Sequence, residues 1–550
     1  MSRSFAPILA VALALALTTP LFAQRTAPSI NKPTPATAAW WAQTTDLSND
    51  AMEGRDTGTE AYERAARLVA QRFQSYGLKP VGESAAGKPT YFQRVPMHQV
   101  ELDTTQSTVT VGKASLTLLQ EITLLPREGL PGNLSGSLIF LGYGLPAPKQ
   151  DLHNKVAVYF NNIPAALSQA DRDTFAVRRA RAIAQAGAIA TISIDNPAAI
   201  EPTHWPAAYA RTVTLATPAP TPTQTPTQTT TQTTTQTTTQ TTPAAPITTP
   251  IALRISAESA FKLFTASPRP FAPILQAGEH GEPIPTLDLN TSLQLHLVTH
   301  SREISSPNIL AILPGAETAN DSSFTPEYVA LSAHLDGYGY GTPVFTDKLY
   351  NGTLDDAAYV ALLLEIARTQ SEVKLSDRPR RSLLFCIFTG EEKGLLGSVY
   401  FTTHPTVPVK DIVADLNLDQ LRPIFPLNIL TMEGIAESTI GETARTVANQ
   451  FNIQLRPDLE PERNLYRRAD NYSFVRLGVP IASFIFGYDK GSREEVIHRD
   501  WYARRYHKPQ DDLETPIDFA AADKFNRFYT ALALTLANAP NRPTWITPNH

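Results

Sequence analysis

The sequence predicts an α/β protein: a mixed, mostly parallel central sheet flanked by helices, with a small β-rich α/β domain inserted into it. Three observations lead there. Short runs at Tyr328–Ala333, Ser382–Thr389 and Ile412–Leu418 are rich in Val, Ile, Leu and Phe, as strands buried on both faces should be. Helical patterns fall between such runs, and strand–helix alternation argues for a sheet held between helical layers. Each run also stops at metal-capable side chains, and open α/β sheets gather ligands beyond the carboxyl ends of their strands.

The 550 residues exceed one compact core, so two or three domains are expected, and 42% hydrophobic residues allow a sizeable interior. A formal net charge of −5 without any Lys/Arg block argues against nucleic acid and against a membrane-surface patch. The single cysteine, Cys386, cannot form an internal disulfide. Its neighbours Leu384, Phe385 and Ile387 place it in a buried strand, the wrong setting for a thiol nucleophile.

Residues 1–23 carry Arg3, the apolar run Ile8–Leu17 and a small-residue exit at Ala23, the pattern of a secretory signal peptide. The run is shorter than the ~20 residues that span a bilayer. The chain is therefore expected to be periplasmic or extracellular, with no stable membrane span after cleavage. Residues 24–39, rich in Pro, Thr and Ala, read as a disordered leader. From Trp40 to Gly77 apolar residues recur at helical spacing, broken by the turn Glu53–Gly58, which reads as a connection between two helices. Tyr91–Val100 and Thr108–Val111 read as strands.

Between 130 and 287 short β-type runs (Ser137–Leu141, Lys155–Phe160, Ala190–Ile194) alternate with a helical piece at Arg172–Gly187, and this span is expected to form the inserted domain. Within it, 217–246 is nearly all Thr, Gln and Pro and cannot bury enough apolar surface to fold, so it is expected to be a disordered loop. Residues 40–129 and 288–550 then form the main domain. Its later elements are a helix at Ala357–Gln370, a strand at Leu427–Met432, a helix at Glu437–Phe451, a strand at Ile481–Gly487 and a closing helix at Phe519–Ala539.

The chemistry collects at the strand ends. His334 and Asp336 form H-x-D, in which one residue can bind a metal while the other holds the imidazole. A lone histidine is more often an ordinary packed residue, and Asp355-Asp356 has a plain reading as a helix cap. Glu391-Glu392 and Asp419 change the balance, because carboxylates crowded at the ends of apolar runs repel one another unless a cation compensates. Adjacent glutamates point in different directions, so one can ligate while its neighbour acts as general base.

Five segments, S-A-H-L-D (332–336), G-T-L-D-D-A (352–357), T-G-E-E-K-G-L-L-G-S (389–398), L-N-L-D (416–419) and Y-H-K-P-Q-D-D (506–512), together closely resemble the M28 family of zinc peptidases, the co-catalytic aminopeptidase group. E-G-R-x-T-G-T (53–59) resembles that family's exported bacterial members. The insert is similar to a protease-associated domain at G-S-L-I-F-L-G-Y-G-L (136–145) and N-K-V-A-V-Y (154–159). The resemblance implies a zinc aminopeptidase-like fold, peptide substrates and two Zn2+ ions. It implies that His334 and Asp419 bind one ion and Glu392 and His507 the other, with Asp355 between them. Glu391 would be the base, Asp336 would orient His334, and Asp356 would support the turn.

The implied function is an exported di-zinc exopeptidase, in the first place an aminopeptidase. A carboxypeptidase or dipeptidase is the alternative, with Arg467 and Arg468 as possible carboxylate grips, followed by a single-zinc glutaminyl cyclase or a non-catalytic binding protein. Two departures stand out: Ala357-Ala358-Tyr359 replaces the usual A-S-G, and Ala469-Asp470-Asn471 stands where many relatives have S-D-H.

Overall fold

The computed structural model describes residues 31–147, 150–199, 204–216, 249–316, 327–419 and 422–546. The expected signal peptide, the first part of the leader and the Thr/Gln/Pro tract lie outside the described residues.

The expected α/β architecture is present as a mixed ten-stranded sheet with helices on both faces. Nine of its strands are β1 (Phe92–Leu102), β2 (Arg211–Leu215), β3 (Thr299–Leu313), β4 (Tyr328–His334), β5 (Ser382–Phe388), β6 (Ile412–Asn417), β7 (Ile429–Glu433), β8 (Gln454–Arg456) and β9 (Ile481–Gly487), in the order β2-β1-β3-β5-β4-β6-β9-β7-β8. The centre is parallel: β4 runs beside β5 and β6, and β6 beside β9. Toward one side β3, β1 and β2 pair antiparallel, and on the other β7 pairs antiparallel with β9.

Alternation along the central strands builds two cores. Val329, Leu331 and Ala333 join Leu383, Phe385 and Ile387 on one face, where α1 (Pro35–Ser48), α2 (Glu60–Ser75), α3 (Ala358–Ser371) and α4 (Phe519–Asn538) cover them. Ala330, Leu384, Cys386 and Phe388 face the other way, against Phe401 and Phe474. Burial on both sides is why these runs are apolar throughout.

Helix α1 begins at Pro35, so residues 35–39, expected in the leader, are helical. Thr34 caps the helix by accepting the Thr37 N–H at 3.2 Å, proline occupies the first turn where no N–H is needed, and the buried Trp40 indole donates to the Ala358 carbonyl at 2.7 Å.

A second sheet of eight strands has its own core, built from Val109, Phe140, Val158, Ile192, Leu253 and Leu293 among others. It takes in Thr108–Val111, Ala114–Leu116, Ile122–Leu124 and Thr286–His296, all or partly outside 130–287. The reason is the long β1–β3 pairing, which runs from Phe92 opposite Ile309 to Leu102 opposite Thr299. The chain leaves and re-enters the main sheet at adjacent points, and the Asp103 N–H reaches the Val298 carbonyl at 2.8 Å there. Strand β2 comes back from this excursion to pair with β1, carrying Arg211 toward the main sheet. Among the described residues no helix is long and apolar enough to cross a membrane.

Candidate metal centre

The parallel strands deliver their C-terminal ends to one cleft. His334 is the last residue of β4, Glu391 and Glu392 sit in the turn after β5, and Asp419 lies two residues beyond β6. Asp355 and Asp356 occupy the buried turn that leads into α3. That turn is held from below by Asp511, whose carboxylate accepts the backbone N–H groups of Leu354 and Asp355, each at 3.0 Å. His507 follows the helix Arg493–Arg504 in a left-handed conformation, φ 55°, and its Nδ1 lies 3.1 Å from the Tyr338 hydroxyl.

These residues converge. His334 Nε2 lies 3.2 Å from Asp355 Oδ1 and 3.7 Å from Asp419 Oδ1. His507 Nε2 lies 3.3 Å from Asp355 Oδ2 and 3.2 Å from Glu392 Oε2. The two oxygens of Asp355 therefore face the two imidazoles. Glu391 Oε2 is 4.0 Å from His334 Nε2, at the edge of the first group.

The donors fit divalent cations. Two atoms bonded to a tetrahedral zinc at ~2.1 Å lie ~3.4 Å apart, close to all four imidazole–carboxylate separations. His334 Nε2, Asp355 Oδ2 and Asp419 Oδ1 are buried yet none of them has hydrogen-bond geometry to a partner. Buried polar atoms left this way are costly unless something else satisfies them. Imidazole and carboxylate donors are the set that zinc takes, and three groups of such residues have their ligand atoms within 4.8 Å of one another.

The electrostatics agree. Burial pushes Glu391 well above the carboxylate range, helped by Asp419 and Glu392 and opposed by His334. Burial also works against charge on His507, but Glu392 and Asp355 outweigh it and hold the imidazole up at about 10. Asp355, although buried, is drawn well below its ordinary value by the two histidines. Protons here occupy the place that a cation's charge would take, the coupling expected of a metal site.

Asp336 sits beside His334 in an unexpected way. The ring's Nδ1 lies 3.0 Å from the Asp336 main-chain carbonyl and 3.9 Å from its carboxylate. The carboxylate instead accepts the Glu391 N–H at 3.1 Å and the Thr57 hydroxyl at 3.0 Å. Asp336 thus holds the ring through its backbone and the Glu391 turn through its side chain.

Several supporting residues escaped the sequence reading. Arg55, in the turn taken for a connection, is fully buried and donates to the carbonyls of Leu335, Leu47, Asn351 and Gly352, each at 2.8 Å. Gly54 lets this turn approach, since a Cβ there would come within 2.3 Å of the Tyr350 carbonyl. Asp56 pairs with Arg211 from β2 and with Lys393 from the Glu391 turn, at 2.5 and 3.2 Å. A charged residue inside a glycine-rich turn was the available signal.

A cavity of about 390 Å³ opens over the centre, and a neighbouring one of about 590 Å³ shares Tyr338, Glu392, Arg468, Tyr506 and His507 with it. The second reaches His204 and Tyr209, so the stretch before β2 lines the approach.

Comparison with known proteins follows the same lines. Residues 308–533 match the profile of peptidase family M28. A probable zinc metalloprotease of Pyrenophora teres f. teres is 26% identical over 288 residues, covering 50% of this chain and 58% of that protein. Aminopeptidase YwaD of Bacillus subtilis is 27% identical over 194 residues, covering 34% and 37%. The chain thus spans little more than half of the first relative and about a third of the second. In fold, an aminopeptidase from Aneurinibacillus sp. strain AM-1 superimposes with a TM-score of 0.54 at 19% identity over 94% of this chain and 96% of that one. Residues 308–533, the stretch that carries the central and C-terminal strands and the candidate metal donors, are thus similar to peptidase family M28.

Proposed function

We propose that this protein is an exported di-zinc aminopeptidase. The observation that carries the reading is that the two oxygens of Asp355 face His334 and His507, with Asp419 beside one imidazole and Glu392 beside the other. His334, Asp419 and one oxygen of Asp355 would hold one zinc, and His507, Glu392 and the other oxygen the second. Bound there, the ions would supply Lewis-acid polarisation of the scissile carbonyl and a lowered pKa for the attacking water.

Glu391, which lines the cavity with its Oε2 4.0 Å from His334 Nε2, acts as general base. Its raised pKa suits a group that must take a proton from water and give it up again. Glu391 receives the proton from the attacking water on a carboxylate oxygen and delivers it to the amide nitrogen as the C–N bond breaks, yielding a free amine and a new carboxylate. Asp336 fixes the base by accepting its backbone N–H. Tyr338 orients His507 through the hydroxyl contact to Nδ1.

Export rests on the pattern of residues 1–23, and a protease-associated role for the second sheet on residues 136–145 and 154–159. One observation favours a second reading. Arg467 and Arg468 line the 390 Å³ cavity, where they could meet a substrate carboxylate and make the enzyme a dipeptidase or carboxypeptidase.

A panel of aminoacyl p-nitroanilides and N-blocked peptides separates the readings. Release from free N-termini alone is expected, and Glu391→Gln should lower kcat by about 100-fold or more with little change in KM. Cleavage of N-blocked peptides from their carboxyl end would overturn aminopeptidase action.

A further inference from the structure

The cavity over the metal centre has a carboxylate that neither the ligand set nor the proton transfer uses. Glu433 is the last residue of β7 and pairs directly with Ser483 of β9, one step along from the Thr431–Ile485 pair. Alternation sends Leu430 and Met432 into the apolar core beneath the sheet, so Glu433 lies on the opposite face, where Ser483 and Ile485 also line the cavity. Glu433 is only 6% exposed, and its Oε1 has no hydrogen-bond partner. Among the described residues it belongs to none of the groups whose donor atoms cluster within 4.8 Å, so it stands off from the metal centre.

A buried carboxylate with an unmet oxygen in an enzyme cleft is expensive to keep unless a ligand satisfies it. The cavity is suited to a side chain with an apolar stem, since Leu465 and Ile485 line it as well and Ser483 adds one hydroxyl. Arg467 and Arg468 also line the cavity, but both are exposed, so solvent screens their charge. An opposing field comes from Arg463, which is engaged by Glu460 at 3.3 Å and stacked on the Tyr502 ring at 4.3 Å.

We propose that Glu433 determines side-chain specificity by receiving the ammonium or guanidinium of a lysine or arginine residue bound in this cavity. The inference rests on the aminopeptidase reading for which residue that is: the N-terminal one, whose carbonyl lies over the metal centre. Burial, reinforced by Asp458 and Asp419, pushes empty Glu433 up to about 8, and an incoming cation would reverse that cost. The apolar stem of the ligand would run along Leu465 and Ile485 while its charge reaches Glu433.

The test compares L-lysinamide with L-norleucinamide, which share a stem and differ by the terminal ammonium, in calorimetric binding to the zinc-loaded full chain. Lysinamide is expected to bind about 10- to 100-fold tighter, the range of a hydrogen-bonded charge pair. In Glu433→Gln that preference should collapse while norleucinamide affinity stays as it was. Equal binding of the two amides to the unaltered protein would overturn the proposal without any variant. So would a parallel loss of both in Glu433→Gln, which would make Glu433 a site for the shared α-amine. If the preference appears but neither lysyl nor norleucyl p-nitroanilide is cleaved, the aminopeptidase reading falls and the cavity assignment stands.

Discussion

The carboxylate of Asp511 accepts the backbone N–H of Asp355 at 3.0 Å, tying the segment that carries His507 to the turn between the two imidazoles. The same carboxylate takes the Leu354 N–H, and the main-chain carbonyl of Asp511 takes that of Thr353 at 3.1 Å. Three consecutive amides of the Asp355 turn are thus fixed by one residue. Asp511→Asn turns one acceptor into a donor and leaves an amide unmet. Zinc affinity is expected to fall about 10- to 100-fold, as for other residues that orient metal ligands. Chelator competition measures it, and excess zinc should restore most of the lost kcat/KM.

Arg55 plays the matching part on the other side. Its guanidinium joins α1, the His334 strand end and the Asn351–Gly352 turn through four carbonyls, and burial lowers its pKa to about 10. Lysine cannot reproduce that planar fork. Arg55→Lys should cost about 1–3 kcal/mol for each carbonyl left without a donor. Urea unfolding would show this as a lower midpoint at constant slope.

The metal-free protein should lose stability as pH rises. Burial, with Asp355 beside it, holds folded Asp511 at about 7, far above its unfolded value, and Glu433 at about 8. Folded His507 is held at about 10. In each case the folded state keeps a proton that the unfolded state releases at lower pH, so the contribution is full below the unfolded pKa and lost as pH rises through the folded one. For the acids that window is about pH 4 to 8, and for His507 about 6.5 to 10. Thermal melts with chelator should show Tm falling from pH 5 to pH 9. Zinc should flatten the curve, because a bound cation replaces those protons.

Much of the candidate site is legible in the sequence because its residues end or closely follow strands that are apolar on both faces. In such runs a His or Asp at the last position stands out, and His334, Glu391, Glu392 and Asp419 were found that way. Asp355 was ambiguous, since an aspartate before a helix caps as readily as it ligates, and His507 was reached only through the resemblance. What local pattern hid was long-range support. Arg55 works through backbone carbonyls some 280 and 297 positions away, and no spacing announces that. A mixed, mostly parallel sheet was expected from the central strands, and the structure puts parallel pairings at its centre with antiparallel ones on both sides. The limits of the second sheet were misplaced because Thr108–Val111 and Thr286–His296 follow the same β pattern in either sheet, and only the β1–β3 pairing decides which one they join.

The central claim concerns two ions sharing Asp355, and diffraction from zinc-soaked crystals on either side of the zinc absorption edge tests it most directly. The account predicts two anomalous peaks per chain, one against His334 Nε2 and Asp419 and one against His507 Nε2 and Glu392, with an oxygen of Asp355 on each. A single peak, or peaks away from these donors, would contradict it.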